Sequence, residues 1–308
     1  MSFIIYNKLI DPRNSSLTTE ELIKELVIKD DFSEHIIIQS TGRLFRHYNN
    51  FATDLYFDSY KKSFRPPQIT TLDKFIKSIF NGIEQFMDFR FISTNYKIAL
   101  LDELQSEINL EYYSQNGRIK YSLLVKLVAL IDGLKKDGFS YSDLYKDLVE
   151  ESEELVEPRK LKDIALIYEA LSKKMIENRL VDDVDALNLL TSFILENDAK
   201  LFDSKKILFL DNFNEFKNPE IQFFKAIRDK IPILINLDFS EDFGPTFNNI
   251  KDLIAELIES GFKVYDSDLI SQKAENIDNI SEPVYLKKFL FRESRWANAD
   301  IRGHRKES

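Results

Sequence analysis

Residues 207–220 read Ile207-Leu208-Phe209-Leu210-Asp211-Asn212-Phe213-Asn214-Glu215-Phe216-Lys217-Asn218-Pro219-Glu220. Four consecutive large apolar residues, with no polar alternation, describe a strand buried on both faces, as in a parallel sheet covered by helices. The strand ends on an acid, and the polar residues after it lead to Pro219, which suits the first turn of a helix. An acid at the carboxyl end of a parallel strand faces the crevice where such sheets bind ligands. It can hold a Mg²⁺ ion that bridges nucleotide phosphates, as a Walker B acid does. It can equally be a plain strand-terminal or helix-capping residue. Asn212 stands where an ATPase often has a second carboxylate, which counts against hydrolysis.

Outward from this stretch the same pattern repeats. Phe3-Ile4-Ile5-Tyr6, Ile36-Ile37-Ile38, Ile69-Thr70, Ile233-Leu234-Ile235-Asn236-Leu237 and Phe262-Lys263-Val264-Tyr265 are further strand candidates. Helical stripes alternate with them. Thr18 and Glu21 have capping-box spacing ahead of Leu22, Ile23, Leu26 and Val27. Leu44, Tyr48, Phe51 and Leu55 form a second stripe, and Leu72, Phe75, Ile76 and Ile79 a third. Strands alternating with helices predict an α/β fold on a parallel sheet. From about Ser93 the strand signals stop. Ile98, Leu101, Leu104 and Ile108 predict one helix; Tyr121, Leu124, Val125, Val128, Ile131 and Leu134 predict another, ending at Gly138. Ser140 caps a short helix with Leu144 and Leu148, Pro158 opens a long one, and Leu187, Leu190 and Ile194 mark the last. The acidic stretch from Glu150 to Glu157 reads as a solvated link. The expected organisation is an α/β core of residues 1–92 and 197–293, an all-helical insertion of residues 93–196, and an irregular tail of residues 294–308.

The 308 residues carry 42 basic and 52 acidic side chains, a formal net charge of −10, with 44% hydrophobic and 31% charged residues. That is globular composition. No cysteine is present and only three histidines, His35, His47 and His304, which removes disulfides, thiolate metal sites, thiol nucleophiles and histidine-rich centres. The absence of cysteine fits a reducing cytoplasm, and no apolar run reaches membrane-spanning length. A nucleotide site would need a glycine-rich turn, a lysine and a Ser/Thr after the first strand. The residues there are Asn7-Lys8-Leu9-Ile10-Asp11-Pro12-Arg13-Asn14-Ser15-Ser16. They include no glycine to let the backbone approach a phosphate, and Asp11 would repel one. Asp203-Ser204-Lys205 matches the end of a nuclease motif only in spacing, since it precedes its strand and lacks an upstream acid.

Arg43, Arg46, Lys61, Lys62 and Arg65 form a locally basic segment, interleaved with Tyr48, Phe51, Tyr56 and Tyr60. Such residues suit phosphates and stacked bases in a single-strand channel. The competing reading is an amphipathic helix with a core stripe and a solvated cationic face.

In this order the segments resemble the N-terminal helicase-like region of AddB-type subunits of bacterial ATP-dependent helicase–nucleases, superfamily 1 relatives whose nuclease belongs to the PD-(D/E)XK superfamily. The stretch 207–220 carries the resemblance best. Ile36-Ile37-Ile38-Gln39-Ser40-Thr41-Gly42-Arg43-Leu44, Ile69-Thr70-Thr71-Leu72-Asp73-Lys74-Phe75 and Pro283-Val284-Tyr285-Leu286-Lys287-Lys288-Phe289-Leu290-Phe291 are similar to further segments of that family. The resemblance implies a P-loop-like core of the superfamily 1 domain 1A kind, a 1B-like helical insertion, and a degenerate Walker A. It implies a catalytically inactive module of a double-strand-break repair machine, with no catalytic residue, no metal ligand and no ATP or Mg²⁺ cofactor. The implied partners are single-stranded or forked DNA and either an AddA-like helicase subunit or downstream domains of the same protein, since the family's second helicase domain and nuclease lie downstream. Asp211 is the Walker-B-like residue, and Arg43, Arg46, Lys61, Lys62 and Arg65 are the candidate DNA contacts. Two alternatives stay open: a divergent Mg²⁺-dependent NTPase using Asp211, and a protein-interaction module with no DNA role.

Overall fold

The computed structural model describes residues 3–8, 19–30, 32, 35–60, 68–113, 118–150, 157–197, 201–202, 207–239 and 248–265. The first elements are β1 (Phe3–Lys8), α1 (Thr19–Lys29), β2 (His35–Gln39), α2 (Gly42–Tyr60), β3 (Gln68–Thr71) and α3 (Leu72–Asn81). After a short 3-10 turn (Glu84–Phe86) come β4 (Arg90–Phe91), α4 (Thr94–Leu104), α5 (Tyr121–Asp137), α6 (Tyr141–Glu150), α7 (Pro158–Glu177), β5 (Leu180–Val181) and α8 (Asp183–Glu196). The chain then runs through β6 (Ile207–Asp211), α9 (Asn218–Ile227), β7 (Ile233–Phe239), α10 (Asn248–Glu259) and β8 (Lys263–Tyr265). The segment 283–291, the tail and residues 203–205 lie outside the described residues. The chain divides into two compact units: Met1–Leu72 with Phe202–Phe216 and Arg228–Ser308, and Asp73–Leu201 with Lys217–Ile227.

The first unit is built on a six-stranded sheet in the order β3-β2-β6-β7-β1-β8. Every pair in it is parallel. The fold is therefore α/β on a parallel sheet, as the apolar strand runs predict. Ile36, Ile37 and Ile38 are all buried, as are Leu208, Phe209 and Leu210, so these strands are covered on both faces. On one face α1 and α2 pack Leu22, Ile23, Leu26, Val27, Ala52 and Tyr56 against Ile37, Ile69 and Phe209. Parallel strands place all their carboxyl ends on one edge. Gln39 of β2 and Asp211 of β6 are direct register partners there.

The second unit has a helical core, with Leu101, Leu124, Leu127, Val128, Ile131, Ala165, Ile167 and Leu171 at its centre. Helix α5 ends where the sequence indicates, on Gly138 at φ 88°, with the Gly138 and Phe139 N–H groups closing onto Lys135 and Leu134 carbonyls. Buried Asp163 of α7 accepts bonds from the Glu111, Tyr112 and Tyr113 N–H groups at 3.0, 2.7 and 3.0 Å, which satisfies the loop after α4. One expectation is corrected. The span 93–196 is not wholly helical, because β5 lies within it and pairs in parallel with β4. A ladder two residues long has no room for a period-2 pattern. It is formed by main-chain bonds, Arg90 N–H to Arg179 and Ile92 N–H to Val181, that any side chains allow.

Candidate functional site

At the carboxyl edge of the sheet, Asp211 is buried, and each of its carboxylate oxygens accepts two hydrogen bonds. Oδ2 takes the Thr19 N–H at 3.2 Å and the Thr19 hydroxyl. Oδ1 takes the Asn212 N–H at 2.9 Å and the Asn236 amide at 2.8 Å. Gln39 Nε2 donates to Thr19 Oγ1 at 2.9 Å, and Asn212 Nδ2 donates to Gln39 Oε1 at 3.0 Å. Thr19 comes from the first turn of α1, Gln39 from the end of β2, and Asn236 from within β7. Asn212 holds the left-handed conformation at φ 64°, which asparagine tolerates better than most side chains. Burial pushes the Asp211 carboxyl above the usual range, while the bonds from Thr19, Asn236 and Asn212 oppose that shift.

The sequence reading located Asp211 but missed Thr19, Gln39 and Asn236. Thr19 matters because a Ser/Thr after the first strand and an acid ending another are the two protein groups that hold Mg²⁺ in P-loop NTPases. Here the two are bonded to each other. The residue before Thr19 is Thr18 rather than lysine, and the stretch 7–16 has no glycine. Both Asp211 oxygens are taken by protein donors. Among the described residues no group of three or more His, Asp or Glu could hold a metal ion. The loop 9–18 lies outside the described residues.

Beside Asp211, β2 continues through Ser40 and Thr41 into α2. Thr41 caps this helix: its Oγ1 accepts the Leu44 N–H at 3.3 Å and its carbonyl the Phe45 N–H at 3.0 Å. Helix α2 has 19 residues and no acid in its first turn. Arg43 and Arg46 are exposed, and an Arg46 guanidinium nitrogen lies 3.9 Å from where a Cβ on Gly42 would sit. That puts a cation over a helix end whose free N–H groups and dipole favour anions. Of the basic segment, Lys61, Lys62 and Arg65 lie outside the described residues. The interleaved aromatics face inward: Tyr56 is buried, and Tyr48, Phe51 and Tyr60 pack against the same core. The Tyr56 hydroxyl donates to Asp30, and that of Tyr60 to the Val27 carbonyl at 2.8 Å. Over its described residues the segment thus presents Arg43 and Arg46 to solvent and its rings to the core.

The helical unit contains a second buried polar cluster. Lys97 Nζ bonds Asp182 at 3.0 Å and also Asp132, while Lys135 Nζ bonds Asp182 at 3.0 Å and Asp185 at 2.7 Å. Asp182 Oδ1 also caps α8 by accepting the Val184 and Asp185 N–H groups at 3.0 and 2.9 Å. Burial acts to raise the Asp182 carboxyl, but Lys135 and Lys97 prevail and hold it well below the usual range. A cavity of about 350 Å³ opens beside this cluster, lined by Thr94, Lys136 and Asp183 among others. Its lysines and aspartates largely balance, so it holds no excess charge to select an ion.

Residues 67–273 match the model of the family described as ADDB, N-terminal. A comparison with curated proteins gives no match.

Proposed function

The chain belongs to the ADDB N-terminal family, and we propose that it works as a catalytically silent, helicase-like DNA-contacting module of a double-strand-break repair helicase–nuclease. In this reading residues 1–92 and 197–293 are a 1A-like core with a degenerate phosphate loop, and residues 93–196 a 1B-like insertion. The module meets single-stranded or forked DNA in the cytoplasm and scaffolds either an AddA-like helicase subunit or further domains of its own protein. The observation that best supports DNA contact is the start of α2. There Arg43 and Arg46 are exposed, and an Arg46 guanidinium nitrogen lies close to Gly42 in the first turn; a cation beside a helix N-terminus is the combination that takes a backbone phosphate. Lys61, Lys62 and Arg65 are the further candidate DNA contacts of this reading. Saturation of Asp211 by Thr19, Asn212 and Asn236 supports the silent reading over a divergent NTPase.

The test is fluorescence anisotropy of labelled single-stranded and forked oligonucleotides across a salt series. The wild type should bind with a log K that falls linearly with log salt. Arg43→Ala with Arg46→Ala should weaken binding and shallow the slope by about 0.7 per lost phosphate contact. Folded protein with no affinity for DNA at low salt would refute the reading in favour of a protein-interaction module.

A further inference from the structure

The bonds at the carboxyl edge close into a ring. From Asp211 Oδ1 the path runs to the Asn212 N–H, through that residue to its Nδ2, and on to Gln39 Oε1. From Gln39 Nε2 it continues to Thr19 Oγ1 and returns to Asp211 Oδ2. Gln39 uses both ends of its amide, so no acid, alcohol or apolar side chain can replace it without breaking the ring. It is completely buried and thus out of reach of a phosphate, yet it stands four residues before Arg43. Only Ser40 and Thr41 separate the strand it ends from the helix start that Arg46 overhangs.

We infer that Gln39 is a positioning residue for DNA binding, an inference that rests on the DNA-contacting reading above. By locking the end of β2 to α1 and to the residue after β6, the ring fixes the direction in which the first turn of α2 presents its N–H groups and guanidinium groups. Without that lock the helix start must be ordered at the moment of binding, at a cost in affinity. The ring itself holds no cation, so its loss leaves the number of neutralised phosphates unchanged. The signature is therefore weaker binding at an unaltered salt slope, whereas loss of Arg43 or Arg46 changes both.

The experiment measures anisotropy salt series for Gln39→Leu and Asn212→Gly. The second keeps the left-handed backbone at φ 64° at no strain and removes only the side-chain bond to Gln39. Leu253→Ala on α10 serves as a core variant of the same unit that leaves the ring intact. Affinity should fall about 10-fold in Gln39→Leu, less in Asn212→Gly, with both slopes equal to that of the wild type. Leu253→Ala should lower the melting temperature and leave the affinity of the folded protein unchanged. Wild-type affinity in both ring variants, or an equal loss in Leu253→Ala, overturns the positioning role while the DNA reading stands. A wild type that binds no DNA overturns both.

Discussion

Asp211 shows what a single buried carboxylate does when its lone pairs are all used inside the protein. Burial favours the protonated form and the donors favour the ionised one, with burial prevailing. The folded state therefore holds this proton more tightly than the unfolded chain, in which an aspartate titrates near about 3.9. As pH rises from that value through the folded-state value, this group's contribution to stability declines, and above it the loss is constant. Asp211→Asn should abolish that segment of the stability–pH profile. It should also cost about 1–3 kcal/mol in urea unfolding, because an amide can accept only on one side and leaves a Thr19 or Asn236 donor unpaired. An unchanged midpoint would mean that the donors find other partners. The position of Asp211 is legible in the sequence because an apolar run that ends on an acid is a local pattern. Thr19 is not, since it meets Asp211 across 192 positions. Asn236 did leave a signal: an amide inside Ile233-Leu234-Ile235-Asn236-Leu237 must be paired if that strand is buried on both faces.

Among elements, helix α5 is the most informative. Its predicted end at Gly138 agrees with the structure because a left-handed cap needs glycine. A Cβ at that position would lie 2.6 Å from Asn218 Nδ2. Gly138→Ala should therefore cost about 1–2 kcal/mol, more than the helix propensity of alanine returns. The inward face of α5 is less well read. Tyr121 and Val125 fit a helical stripe but are exposed, and Leu127 and Lys135 take the buried positions. A buried lysine breaks any apolar pattern, and Asp182 and Asp185, which make it tolerable, lie 47 and 50 positions away. Removing one partner leaves the others charged and unpaired. Lys135→Met and Lys97→Met should each destabilise the helical unit by about 3–5 kcal/mol, read by chemical denaturation. Because Asp182 is held below the unfolded value, its contribution is fully present above about pH 3.9 and is lost as pH falls through the folded value. The stripe on α2 shows a related limit. Tyr48, Phe51, Tyr56 and Tyr60 suit base stacking or core packing equally well by spacing, and only the sheet beneath them decides.

At the scale of the whole molecule, a net charge of −10 coexists with a cationic helix start on a sheet edge. Acids elsewhere discourage indiscriminate coating by nucleic acid, so contact should be local and steep in salt. No helix among the described residues is long and apolar enough to cross a membrane. The alternation of strands and helices was readable from one sequence because parallel strands are nearly continuous apolar runs. The polar ring was not, because it depends on which strand ends are neighbours. The central claim is DNA contact without nucleotide, and the most direct test is anisotropy of a single-stranded oligonucleotide with and without ATP at constant free Mg²⁺ and matched ionic strength. DNA affinity that is the same in both conditions is the predicted result. No DNA binding by folded protein, or an affinity shifted by Mg²⁺–ATP and made insensitive to it by Asp211→Ala, would contradict it.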